Sequence, residues 1–148
     1  MSEQFLKTVS DYIHYNEQQK PKEDFVICPH SNIKISNEKL RNNLDKIHLF
    51  LTYKKNQTKG SIICTLIENS LSSIQLMLGI MYSGMIQVPL NLIAGVEQLS
   101  YVVDHSGAKI IFVSSNYIEL AKKIIADVSR DIEIIEIDKN IFVEQLEQ

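Results

Sequence analysis

The polar residues of most chemical interest are Glu68, Asn69 and Ser70. They follow an apolar, β-branched run at 61–66 and precede the uncharged apolar segment Leu71–Tyr82. That spacing places them beyond the carboxyl end of a parallel strand, where α/β sheets bind ligands. The same residue types are also what a helix start requires, because Asn and Ser accept hydrogen bonds from its free N–H groups. Helix capping at a turn is the expected role. Asn91 follows a second apolar run at a similar height and carries the same expectation.

Other residues with reactive side chains do not assemble into a pattern. Cys28 and Cys64 fall in separate predicted strands without metal-ligand spacing, as expected of two reduced strand cysteines. His14, His30, His48 and His105 are scattered over predicted helices and one turn, with no H-x-x-x-H or H-E pair, so surface or helix-end positions are expected. Protonated His105, in a last helical turn, would favour the helix dipole. Glu97, Asp104, Glu119, Asp127 and Asp131 fall on predicted solvated faces or caps. A phosphate cradle needs glycines that let backbone N–H groups approach closely. Neither G-x-x-x-x-G-K-[ST] nor G-x-G-x-x-G occurs. Ser106-Gly107-Ala108-Lys109 reads as a helix cap followed by a strand. The sequence assigns no catalytic, cofactor-binding or metal-binding residue.

The elements that position these residues alternate. Apolar runs at 61–66, 85–90, 109–113 and 132–137 suit strands buried on both faces of a parallel sheet. Between them lie helices at Leu71–Tyr82, at 95–105 and after Asn116, where Glu119 three residues on resembles a capping box. The first of these is apolar on almost every side and is expected to be covered all round. Gly79 inside it suggests close helix–sheet packing. Gly84 and Gly107 are expected as left-handed caps. Earlier, 2–15 reads as an amphipathic helix carrying Phe5, Val9, Tyr12 and Ile13, and 16–23 as a linker. Runs at 25–28 and 32–35 read as a hairpin. Ser36 is expected to cap a helix burying Leu40, Leu44, Ile47 and Leu51, and 141–146 to start another. The expected architecture is a Rossmann-like α/β parallel sheet flanked by helices, with a small N-terminal β-hairpin, in one domain over 1–148. Right-handed crossovers give the strand order 85–90, 61–66, 109–113, 132–137.

Composition narrows the function classes. Net charge is −3, and the 15 basic and 18 acidic residues form no basic stripe, so nucleic acid is not an expected partner. Residues 69–96 carry no charge and are long enough to span a bilayer. Gln75, Gln87, Asn91, Gly84 and Pro89 argue against a membrane helix. No basic-then-apolar leader opens the chain, and a cytoplasmic location is expected.

Several motifs resemble the N-terminal part of the adenylate-forming superfamily: acyl-CoA synthetases, luciferases and AMP-binding ligases. They are Glu68-Asn69-Ser70, the run from Met81 through Gly84, Val88 and Pro89 to Asn91, and the run from Glu97 through His105 and Gly107 to Ile111. Ile35-Ser36-Asn37-Glu38-Lys39-Leu40 stands where the family often has L-T-Y-x-E-L, with Ser for Thr and Asn for Tyr. The resemblance covers about 25–138, roughly the first quarter of a typical member. It implies a parent that converts a carboxylate and ATP to an acyl-adenylate and then a thioester, with ATP, Mg and CoA or a carrier thiol as cofactors, as in fatty acid metabolism. The family's Ser/Thr/Gly-rich loop ending in Lys-Gly and its later motifs do not occur in this sequence, so no catalytic residue carries over. The chain is therefore expected to be inactive alone, an N-terminal ligase fragment. The alternative is a non-catalytic interaction module derived from such an enzyme. Self-association through surface exposed by truncation is expected in the fragment case.

Overall fold

The computed structural model describes residues 6–140 and 142–146. Thr8 starts α1 (Val9–Gln19): its hydroxyl accepts from Asp11 N, and the Asp11 carboxylate accepts from Thr8 N. The helix expected over 2–15 thus starts later and runs further, and Phe5 lies outside the described residues. Much of the expected linker is helical as well, because Pro21, which lacks an N–H, is the first residue that cannot continue the turn. The carbonyls of Pro21 and Glu23 accept from Glu38 N and Asn37 N, clasping the chain to the next helix.

Strands β1 (Asp24–Cys28) and β2 (Ile33–Ser36) form the expected antiparallel hairpin. Ser36 Oγ accepts from Lys39 N at the start of α2 (Asn37–Leu49). Leu40, Leu44, Ile47 and Leu51 are all buried, as their spacing predicts. One π-helical turn, Phe50–Lys54, follows without a break.

The main sheet is parallel throughout. Its strands are β3 (Ile62–Leu66), β4 (Ile86–Pro89), β5 (Ile110–Ser114) and β6 (Glu133–Ile137), in the expected order β4-β3-β5-β6. Alternate side chains serve opposite faces. Ile63, Ile110 and Phe112 pack with α1, α2, α3 (Leu71–Tyr82) and α6 (Phe142–Gln145). Cys64, Leu66, Ile111 and Val113 pack with α4 (Val96–Ser106) and α5 (Ile118–Ala126). Both faces are covered, which is why the central strands read as continuous apolar runs. Gly84 (φ 71°) and Gly107 (φ 73°) take the left-handed conformation expected after α3 and α4.

Three local expectations are corrected. Helix α3 is not covered all round: Met81 is 40% exposed, and Ile74, Met77 and Leu78 are only half-buried. These four positions share one stripe at helical spacing. Gly79 packs closely, but against α2 rather than the sheet, since a Cβ there would lie 2.6 Å from Ile47 Cγ2. Asn116 lies in a short 3-10 turn, Ser115–Tyr117, and caps nothing. Helix α5 starts after Tyr117 without a side-chain cap, and Glu119 pairs with Lys122 instead, Nζ to Oε1 2.7 Å. The last expected helix is present as α6, with Ile141 outside the described residues.

Candidate functional site

The connections around β3 set the site. Helix α3 leaves β3 on one face of the sheet, while α5 leaves the neighbouring β5 on the other. Their carboxyl ends therefore diverge, which makes this the ligand-binding switch point of an open α/β sheet. Glu68 sits here, half-buried, and its carboxylate accepts a short hydrogen bond from the hydroxyl of buried Ser114 at the end of β5. The pair closes the gap between the two strands.

Ser70 fulfils its capping expectation. Its Oγ accepts from Ser73 N at 3.2 Å, while Ser70 N donates to Ser73 Oγ at 2.9 Å. Ser72 N donates to Lys139 O, and Ser72 Oγ to Asp138 O at 2.5 Å, fastening the start of α3 to the loop after β6. Asn69 is exposed beside the cap. Asn91 Oδ1 accepts from Ile93 N at 3.1 Å and stabilises its own turn. The capping role foreseen for this region is thus filled by Ser70, with Ser73 as a partner the spacing did not reveal.

Beside these residues lies a groove of about 440 Å³ over the carboxyl ends of β3 and β4. Ile67, Ile74, Met77, Pro89 and Leu90 supply its apolar walls, and no charged side chain among the described residues lines it. Gln87 Nε2 donates to Thr65 Oγ1 at 3.0 Å within it. A mostly apolar concavity with a few polar groups is the general form of a small-molecule site.

The remaining candidates have structural roles. Cys28 lies at the hairpin end and Cys64 is buried, and both are free. The Ser31 hydroxyl and N–H hold the Cys28 thiol below its ordinary pKa, while burial pushes the Cys64 thiol up. At about pH 8 a thiol reagent should therefore label Cys28 quickly and Cys64 only after unfolding. Loss of the fast phase in Cys28→Ser, counted by absorbance, checks this; fast labelling of Cys64 contradicts it. Asp104 pairs with Arg130 at 3.2 Å, and the rest of the Arg130 guanidinium donates to the carbonyls of Val103, Asp104 and Ala108. That fork satisfies the open end of α4. Glu97, Asp127 and Asp131 are exposed. Ala108 N donates to Ser106 Oγ, and Gly107 is the helix cap, as the tetrapeptide predicts. Among the described residues no three His, Cys, Asp or Glu side chains are grouped to hold a metal ion.

Histidines are where sequence spacing missed a constellation. His105 is in the last turn of α4 as expected, stacked on Tyr101. His48 is likewise in the last turn of α2, but it and His14 from α1 meet edge-on around the Tyr82 ring of α3. Tyr82 donates to Asp45 Oδ1 at 2.5 Å, so His14 Nε2, 2.9 Å away, must donate to the tyrosine oxygen. Arg41 pairs with Asp45 at 3.0 Å and with Glu17 at 3.8 Å. Burial and Asp45 push the Tyr82 hydroxyl up to about 12. A raised folded-state value favours the neutral phenol, so its stabilisation is complete below the ordinary value of 10.0 and is lost as pH rises from there to about 12. Tyr82→Phe should lose about 1–2 kcal/mol at neutral pH and flatten that alkaline decline. Urea midpoints across the range test it, and an unchanged alkaline slope contradicts it.

This open parallel sheet, with its hairpin and switch-point turn, has known counterparts. A model of the AMP-binding enzyme family matches residues 13–147, and the chain belongs to that family. The structure is similar to the N-terminal domain of FACL13 from Mycobacterium tuberculosis, at TM-score 0.84 and 18% identity, over 97% of this chain and 36% of that one. It is similar to a benzoate CoA ligase from Burkholderia xenovorans, at TM-score 0.80 and 14% identity, over 96% and 28%. The luciferase-like enzyme of the mealworm Zophobas morio gives 0.82 and 16%, over 95% and 34%. At these identities the likeness is one of fold. The chain spans about a third of the length of these solved structures or less. No curated protein matches it significantly.

Proposed function

We propose that this chain is an N-terminal piece of an ATP-dependent acyl-CoA synthetase-like ligase. The parent converts a carboxylate and ATP to an acyl-adenylate, then transfers the acyl group to CoA or a carrier thiol. The carrying observation is the family match over nearly the whole chain. Within the parent, this piece supplies scaffold rather than catalytic groups. Its residues do not fit a triphosphate with Mg: the N–H groups of Ser70, Ser72 and Ser73 are already taken by protein acceptors, and the adjoining groove has no cationic side chain among the described residues. Two free, separated cysteines suit a reducing cytoplasm, and no helix among the described residues is long and apolar enough to cross a membrane.

The reading frame beyond Gln148 tests this proposal. A frame continuing into a Ser/Thr/Gly-rich loop that ends in Lys-Gly supports it. A stop codon there favours the non-catalytic interaction module instead.

Alone, the piece should self-associate. The half-open stripe of Ile74, Met77, Leu78 and Met81, with β6 at the sheet edge, offers apolar surface and unpaired backbone. A symmetric dimer is the commonest closed form. Sedimentation over a concentration series should show dimerisation, weakened by Met81→Lys with the fold retained. A monomer at every concentration contradicts it.

A further inference from the structure

We infer that the groove over the carboxyl ends of β3 and β4 is a binding site for an uncharged small molecule carrying an amide on an apolar body. The inference goes beyond the ligase reading and does not depend on it; because Ile74 and Met77 also belong to the stripe proposed for self-association, it is tested at concentrations where the chain is monomeric. Its first support is the pairing of polar groups on the groove wall. Gln87 spends its Nε2 on Thr65 Oγ1. Gln87 Oε1 and the Thr65 hydroxyl proton then remain as an acceptor and a donor side by side, the complement of one amide. Thr65 is 2% exposed and is held by the sheet: Leu90 N donates to its carbonyl at 2.8 Å. The backbone that carries the donor is therefore fixed in place before any ligand arrives, which lowers the ordering cost of binding.

Charge decides the ligand class. The start of α3 borders the groove, and a helix start by itself attracts anions. Here Ser70 and Ser73 cap each other, Ser72 N is bound to Lys139 O, and Ile74 N is bound to Ser70 O. Among the described residues no cation lines the groove, and the nearby Glu68 carboxylate adds negative charge. A carboxylate or phosphate entering the groove would lose water and meet only neutral donors, with no cation among the described residues to offset its charge. A neutral amide loses less and finds both partners, while Ile67, Ile74, Met77 and Leu90 cover its apolar part. The volume, about 440 Å³, suits a body of fragment to small-ligand size.

Hexanamide and hexanoate, equal in length and different in charge, test this on the intact chain by amide chemical-shift titration. Hexanamide should shift the Gln87 and Asn69 side-chain amides and the backbone amides of Thr65 and Met77 saturably, with roughly millimolar affinity for so small a ligand. Hexanoate should bind at least about tenfold more weakly. Thr65→Val removes the hydroxyl at nearly constant shape and should weaken hexanamide binding several-fold. Met77→Trp should fill the groove and abolish binding while the spectrum stays dispersed. Absence of saturable shifts with hexanamide, equal binding of hexanoate, or undiminished binding by folded Met77→Trp overturns the inference. None of these results bears on the ligase proposal, which rests on the family match.

Discussion

Gly79→Val is expected to cost about 3 kcal/mol or more of folding stability, enough to unfold much of the population in a marginally stable chain. A Cβ at position 79 would sit 2.6 Å from Ile47 Cγ2 and 2.9 Å from its Cδ1. Ile47 is fully buried in α2, and a β-branched side chain in a helix has one strongly preferred rotamer. It has nowhere to turn, so α2 and α3 must separate. Alanine tests the balance of terms: it gains about 1 kcal/mol of helix propensity against an overpacking cost of about 1–3 kcal/mol, for a small net loss. Valine adds two methyl groups to the same clash. Shortening the neighbour should relieve it, so Ile47→Ala should cost less in the Gly79→Val background than alone. Urea denaturation of the four variants in the cycle measures this. A Gly79→Val protein as stable as the parent contradicts the close helix contact.

Phe112→Ala is expected to cost a comparable amount, about 3–5 kcal/mol. Phe112 is fully buried at the centre of β5. Its ring meets Phe142 edge-on at 5.8 Å and Phe50 at 6.3 Å, centroid to centroid. It therefore joins the sheet to the π-helical turn after α2 and to α6. Truncation leaves a cavity among groups anchored by three separate elements, which limits collapse into the space. Phe112→Leu, which refills much of the volume, should recover most of the loss. Thermal or urea unfolding checks both; a loss below about 1 kcal/mol for the alanine variant contradicts the packing described.

The architecture was legible because its main signals are local or periodic. Continuous apolar runs marked β3 and β5, and the breakers Gly84 and Pro89 separated α3 from the strand that follows it. The handedness of parallel crossovers then left the strand order with little freedom. Helix α1 was misplaced because its start is set by the Thr8–Asp11 box, while the apolar spacing of Val9, Tyr12 and Ile13 fits several starts equally well. Asn116 misled for the opposite reason: a residue type suited to capping was absorbed into a 3-10 turn. Gly79 signals a close contact in the sequence but not its partner, because an inward-facing glycine does not say which element fills the space.

The site was less legible, since its groups come together only across elements. Ser114 gives no sign in sequence that it will meet Glu68, 46 residues away. The cluster of His14, Arg41, Asp45, His48 and Tyr82 draws on three helices. Gln75, whose type in the sequence argues only against a membrane helix, is 4% exposed and accepts from Asn43 at 2.7 Å. The groove over β3 and β4 depends on the stripe of α3 that the neighbouring helices leave open.

Carboxylate-dependent exchange of pyrophosphate into ATP tests the central proposal most directly. It should be measured on this 148-residue chain and on the polypeptide encoded when the reading frame is followed past Gln148. The ligase account predicts no exchange above background by the chain alone and saturable exchange by the longer product. Adenylate formation by the chain alone, or a longer product that folds and still exchanges nothing with any carboxylate, contradicts it.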